Sequence, residues 1–224
     1  IEDELAAIAR KLSELEREKA ALLSRKNELH ASAKRPAATQ LTPDQKAELF
    51  RNLFGGRQDV YAVRWQGSGG RSGYAVACEN EWVPGICQKP RIKCGECPHK
   101  KFKPLDFNAV YDHLSGKHVA GLYPLLPDNS CYLLAVDFDK EDWRADIRAL
   151  AQACRDEGIP YLVEISQSGA GAHLWVFFSD AVPAWSARAL GFNLLDKAME
   201  RHPGLSFDSY DRLFPNQDTM PDGG

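Results

Sequence analysis

No apolar run in these 224 residues approaches the ~20 that a bilayer-spanning helix needs, so no membrane-spanning helix is expected. Nor is there an excess of positive charge: 28 Lys and Arg stand against 31 Asp and Glu, a formal charge of −3 and a pI near 6.1. The chain as a whole is therefore no basic nucleic-acid coat, and any surface for nucleic acid has to be local. Collagen-like and disordered compositions are missing too, because 44% hydrophobic and 26% charged residues are globular proportions. Cysteine is scarce, at six residues, and unevenly spread. Cys78, Cys87, Cys94 and Cys97 share one 20-residue window, whereas Cys131 and Cys154 stand alone. A secreted disulfide scaffold would be shorter and would not need so large a hydrophobic complement. The expectation is an intracellular, cytoplasmic protein with reduced thiols and a metal site. The chain runs from Ile1 to Gly223-Gly224 without a targeting signal, and reads as a segment of a longer protein.

Residues 1–30 carry apolar residues on alternating steps of four and three: Ile1, Leu5, Ile8, Leu12, Leu15, Leu22 and Leu29. Lys19 and Lys26 fill the missing seam positions, and no Gly or Pro interrupts. This predicts one helix, either a self-associating coiled coil or a single amphipathic helix lying on a partner. Residues 31–41 lack periodicity and read as a linker before a domain over 42–224. Thr42, Pro43 and Gln45 signal a helix start, and Gly55-Gly56 a stop. Asp59 to Trp65 alternates as a strand does.

From residue 131 the order is clear. Tyr132–Val136 is a buried strand, and 141–157 has helical spacing (Trp143, Ile147, Leu150, Ala151, Cys154). Tyr161–Ser166 and His173–Phe178 form a hairpin around Gly169-Ala170-Gly171; Pro183 to Arg201 is a helix; Ser206–Tyr210 is a fourth strand. The order β-α-β-β-α-β over 131–212 predicts a ferredoxin- or RRM-like α+β unit. In that arrangement the first and third strands are central and the fourth lies beside the first.

The cysteine spacing ends in Cys94-Gly-Glu-Cys97, a turn that offers two thiolates to one metal. With Cys78 and Cys87 it makes a closed, structural zinc site, and His99 is a substitute ligand. The bland alternative is a set of buried free cysteines. Gln88, Lys89, Pro90, Arg91, Lys93, Lys100 and Lys101 argue against it, since such residues cannot build a core. Between Lys89 and Lys103 six basic residues face one acid, Glu96. That patch is either a phosphate track or a solvated face.

The most informative string is Tyr132-Leu-Leu-Ala-Val-Asp137-Phe-Asp139. A strand delivers both carboxylates to one face, where they repel unless a cation neutralises them, and oxygen ligands suit Mg or Mn. Asp139 could instead cap the following helix, which would leave Asp137 unexplained. In Ser166-Gln-Ser168-Gly169-Ala-Gly171-Ala-His173, glycines let backbone N–H groups approach phosphate, with hydroxyls and a histidine as further donors. A third string, Phe207-Asp208-Ser-Tyr-Asp211-Arg212-Leu-Phe, brings another acid beside the first two. Three carboxylates suit two divalent ions and in-line phosphoryl transfer.

Together these strings resemble the three motifs of the archaeo-eukaryotic primase superfamily. Asp59-Val-Tyr-Ala, Glu81-Trp-Val-Pro-Gly, the cysteine cluster and Ser209-Tyr-Asp-Arg-Leu-Phe-Pro-Asn-Gln-Asp218 are similar to one branch. That branch is the primase-polymerases of TOTE conflict systems and CRISPR-associated primase-polymerases. The resemblance covers about 43–224, and the family segment continues past Gly224. It implies a primase catalytic core with an inserted zinc knuckle (78–99) that makes or extends DNA or RNA from nucleoside triphosphates. Asp137 and Asp139 would be metal ligands, with Asp208 as the third acid and Asp211 as its alternative. Ser166, Ser168, Gly169, Gly171, His173 and Arg212 would bind nucleotide. Two Mg or Mn ions, one structural Zn, a single-stranded DNA template and a primer strand are implied. So is a helicase, nuclease or CRISPR-adaptation partner. A metal-dependent nuclease and a non-catalytic zinc-containing nucleic-acid-binding module are the alternatives.

Overall fold

The computed structural model divides into two units, Ile1–Thr42 and Pro43–Gly224. The residues described are 2–32, 40–140, 142–201 and 210–221. The first unit carries one uninterrupted helix, α1 (Glu2–Ser32), on which Ile8, Leu12, Leu15 and Leu22 are exposed. No helix among the described residues is long and apolar enough to cross a membrane.

The second unit begins with α2 (Pro43–Leu53), then β1 (Ala62–Gln66), β2 (Ser72–Val76), α3 (Phe107–Leu114) and β3 (Ala120–Gly121). These strands form an antiparallel sheet ordered β2-β1-β3. Its core joins Ala47 of α2, Tyr61, Ala77, Leu105, and Ala109 and Val110 of α3. Neither β2, β3 nor α3 is evident from the sequence. β2 is the short Ser-Gly-Tyr-Ala-Val, and α3 has only eight residues, started by Asp106, whose carboxylate accepts from Ala109 N at 2.8 Å.

The rest is β4 (Ser130–Phe138), α4 (Trp143–Asp156), β5 (Leu162–Ile165), β6 (Ala172–Pro183), α5 (Ala184–Arg201) and β7 (Tyr210–Phe214). The sheet is fully antiparallel in the order β5-β6-β4-β7. Its first and third strands are central and its fourth lies beside the first, the order expected of the β-α-β-β-α-β series. β4 is apolar on successive residues because both its faces are covered. On one side Leu134, Val136 and Phe138 meet Ile147, Leu150 and Cys154 of α4 and Leu194 and Ala198 of α5. Each large side chain buried there contributes ~1.5–3 kcal/mol. On the other side Phe54, just past the end of α2, stands edge-on to Trp175 (5.1 Å) and Phe177 (5.3 Å) of β6. β6 is longer than the expected 173–178, and β7 ends four residues beyond the expected 206–210. The difference at β7 follows its apolar residues: Leu213 is buried under the helices, and Tyr210 packs against Phe138. Residues 202–209 lie outside the described ones.

Candidate active site

One charged residue from each strand meets at a single level of the four-stranded sheet. Glu164 of β5 pairs with His173 of β6, His173 with Asp137 of β4, and Asp137 with Arg212 of β7. Residues directly opposite one another across antiparallel strands share a face. The row thus alternates acid, base, acid, base across the whole sheet. His173 Nε2 lies 3.3 Å from Asp137 Oδ1. Its Nδ1 lies 3.4 Å from Glu164 Oε2, close enough for charge attraction but not aligned as a hydrogen bond. Trp175 Nε1 donates to the same Glu164 oxygen at 3.1 Å. Contact with Glu164 raises the His173 pKa, burial opposes it, and Asp137 adds to the rise. Burial pushes the Asp137 carboxyl up, His173 pulls it down, and the charges of Asp211 and Asp139 raise it further.

Asp211 reaches this spot through a bulge. The β4–β7 register jumps from Asp137↔Arg212 to Phe138↔Tyr210, so Asp211 is the extra residue. Bulges re-aim side chains in this way, and here two successive residues, Asp211 and Arg212, both act on Asp137. Arg212 also forms an ion pair with Asp211. Asp208 lies outside the described residues. Asp139 sits just past the end of β4. Its Oδ1 is buried without a hydrogen bond, and the ammonium of Lys140 is 3.8 Å away. It is not the cap of α4, since Asp142 holds that position. A shielded carboxylate oxygen without a donor, beside two further acids, has the chemistry of a divalent-cation ligand.

The glycine hairpin closes over the same end. Ser166 N donates to Gly171 O at 3.0 Å, Gly169 N to Ser166 O at 2.8 Å, and Ala170 N to Ser168 Oγ at 3.2 Å. Gly169 has φ +71°, and a Cβ on Gly171 would stand 2.5 Å from the Phe138 carbonyl oxygen. Glycine at 171 is therefore what lets the turn touch the strand end between Asp137 and Asp139.

A model described as the archaeo-eukaryotic primase domain of TOTE conflict systems matches residues 45–224. The chain belongs to that family. No curated protein matches it. Membership makes it a primase-like nucleotidyltransferase domain, and the match leaves α1 outside.

In this primase domain the cysteines sit on a long excursion beyond β2. Ala77–Glu79 and Lys101–Lys103 run side by side as its stem, with Glu79 N donating to Lys101 O at 2.9 Å and Lys103 N to Ala77 O at 3.0 Å. Cys97 N donates to Cys94 O at 3.3 Å in the Cys-Gly-Glu-Cys turn, and Lys101 N to Cys78 Sγ at 3.4 Å. All four thiols, with His99, line one cavity of about 20 Å³. None is in a disulfide. Among the described residues no three His, Cys, Asp or Glu side chains converge as a ready metal site, here or at the carboxylates. The donor set itself fits zinc: four half-buried thiols, one of which, Cys78, accepts from the Lys101 N–H.

Of the residues singled out in the sequence, the fold brings Asp137, Asp139, His173, Gly171, Ser168, Arg212 and Asp211 to one sheet end. Sequence reasoning missed Glu164. The available signal was strand alternation: Glu164 is the only acid in its hairpin arm, and pairs with His173 across the turn.

Proposed function

We propose that this domain is a template-directed primase-polymerase, joining nucleoside triphosphates on a single-stranded DNA template or extending a primer. The observation that carries the proposal is a strand end that carries Asp137 and Asp139, feels the charge of Asp211 and is touched by a glycine hairpin, in a chain of the primase family. Asp137, Asp139 and Asp211 would hold two Mg or Mn ions. When bound, such ions neutralise charge on phosphoryl oxygens and ease ionisation of the attacking hydroxyl. The chain's own part is to bind and orient. The hairpin backbone and Ser168 receive the triphosphate, His173 Nε2 supplies a donor beside Asp137, and the Arg212 guanidinium offsets negative charge on the β7 side. Cys78, Cys87, Cys94 and Cys97 would hold one structural zinc, drawing the excursion together.

The test is incorporation of labelled nucleotide on a single-stranded template, with and without primer. Wild type makes product, and the variant Asp137→Ala with Asp139→Ala loses it by ~10³-fold or more, since ion-borne charge stabilisation dominates phosphoryl transfer. Release of short fragments without added nucleotide would instead make the site a nuclease. An Asp-pair variant working near the wild-type rate would remove the site from the chemistry altogether.

A further inference from the structure

We propose that Trp82 is a stacking platform for an unpaired base of a single-stranded nucleic acid, with Arg91 and Lys93 holding the adjoining phosphates. Trp82 is displayed against the usual rules for a large apolar residue. It is 67% exposed, and its backbone is left-handed, with φ 61°, a region that bulky side chains rarely enter. Strained residues of this kind collect where a protein engages a ligand. The indole is also held in place. Lys89 Nζ lies over the ring at 5.7 Å from its centroid, and Glu81 Oε1 fixes that ammonium at 2.7 Å. One face of the ring is thus occupied by a cation, which leaves the opposite face for a base.

Trp82 lines two cavities of about 730 and 430 Å³, both in the range of small-ligand sites. Tyr74, Phe102 and Tyr123 line the larger, and Trp65 the smaller, so successive bases would meet aromatic walls on both sides. Position and charge together narrow the strand's phosphate contacts: Lys93 lines the larger cavity beside Trp82, and Arg91 lies two residues before it. Lys89 is committed to Glu81, Lys101 to Glu79 and Arg57 to Asp59. Arg91 and Lys93 are exposed and make no ion pair among the described residues. Aromatic surface interleaved with unpaired cations is what a sequence-tolerant single-strand groove requires. Stacking is open to any base, so the surface takes a strand without reading its sequence. None of these residues belongs to the carboxylate row. The proposal rests on the primase-polymerase reading only in taking the strand to be the template.

The experiment measures binding of an oligothymidylate, as DNA and as RNA, to the full chain by fluorescence anisotropy, without nucleotide or primer. Trp82→Ala should raise Kd about 5- to 100-fold, and Trp82→Phe should recover most of that loss. The salt slope should be unchanged in Trp82→Ala. It should fall by ~1.4 in Arg91→Ala with Lys93→Ala, because two phosphate contacts are lost from a single strand. Tryptophan fluorescence should quench on binding in wild type and less so in Trp82→Ala. Wild-type affinity in Trp82→Ala would overturn the proposal. So would a loss in Trp82→Phe equal to that in Trp82→Ala. If the wild type binds the strand as described but incorporates nothing, the enzyme reading fails and this surface stands. If synthesis depends on Asp137 while Trp82→Ala binds normally, this surface alone fails.

Discussion

The carboxylate row and the cysteine excursion are the two chemically loaded regions of this domain, and they are built in opposite ways. The row is fixed by register: four strands each contribute one residue, and the strands are anchored by a core that includes Leu134, Val136, Leu150 and Leu174. Shifting one strand by one residue would turn its charge into that core. The excursion from Asn80 to Lys100 is held by short turns and a two-rung stem, and its interior offers thiols where the sheet offers leucines. Geometry-critical chemistry sits on the element whose geometry burial already dictates. The loop with too little apolar surface to bury is the one that carries the four clustered thiols.

The sharpest way to break that comparison is to remove the charged centre of each region. At the sheet, Asp137→Ala with Asp139→Ala should abolish incorporation and leave the fold intact. In metal-free buffer it should even gain stability, because burial raises the Asp137 pKa and so makes its ionised form costly. That gain should be absent in acid. It should grow as pH rises from the ordinary aspartate value near 4 through the raised folded value, and persist above it. A thermal melt across pH checks the sign. In the excursion, Cys94→Ser should do the reverse. Bound zinc, counted by elemental analysis of protein purified without added metal, should fall from one per chain to none. Stability should drop by at least about 4 kcal/mol, or roughly 8–16 °C in Tm for a domain of this size. Equal zinc in both proteins, or equal melting, would dissolve the distinction between the regions.

The two regions also differ in how much the sequence discloses. Asp137, Asp139 and His173 are legible because a strand's period of two, a glycine turn and a known element order place them before any coordinates exist. Asp211 is less legible. Its place beside Asp137 depends on a bulge, and alternation alone would have sent it to the opposite face from Arg212. Glu164 is hidden because a single acid in a strand carries no spacing signal, and only pairing across the hairpin gives it meaning. In the excursion, the composition announces thiols and cations. It says nothing of Lys89 being taken up by Glu81 and Trp82, which needs the loop's path.

A smaller change sharpens the account of the sheet end. Gly171→Ala places a methyl 2.5 Å from the Phe138 carbonyl oxygen, a backbone atom that cannot step aside. The hairpin has to lift away from the Asp137–Asp139 strand end. Misplacing a binding element by about an ångström can cost ~10²-fold, so kcat/KM for the nucleotide should fall by about that factor. Strand binding at the Trp82 surface should not change. Steady-state kinetics beside the anisotropy assay separates the two readouts, and a parallel loss of both would mean that the hairpin supports the whole domain.

The smallest expected effect belongs to Glu164, and it asks whether the row is a working unit or four neighbours. Glu164 touches no carboxylate of the centre. It faces His173 Nδ1 and accepts a hydrogen bond from Trp175, whose ring is pinned by Phe54 just past α2. That arrangement gives His173 one orientation, with Nε2 turned to Asp137. Residues that orient a ligand-contacting histidine are commonly worth 10- to 100-fold, and this contact is partly exposed, so about tenfold is expected. In Glu164→Ala the increase should appear in KM for nucleotide, with kcat nearly unchanged, because the effect passes through a binding group. Glu164→Gln keeps an oxygen for Trp175 and the imidazole, and should stay within about threefold of wild type. The Tm of both should lie within about 1–2 °C of wild type, as for surface substitutions in a domain of this size. If Gln is as damaging as Ala, the charge of Glu164 matters and its geometry does not. If neither moves KM, the row ends at His173.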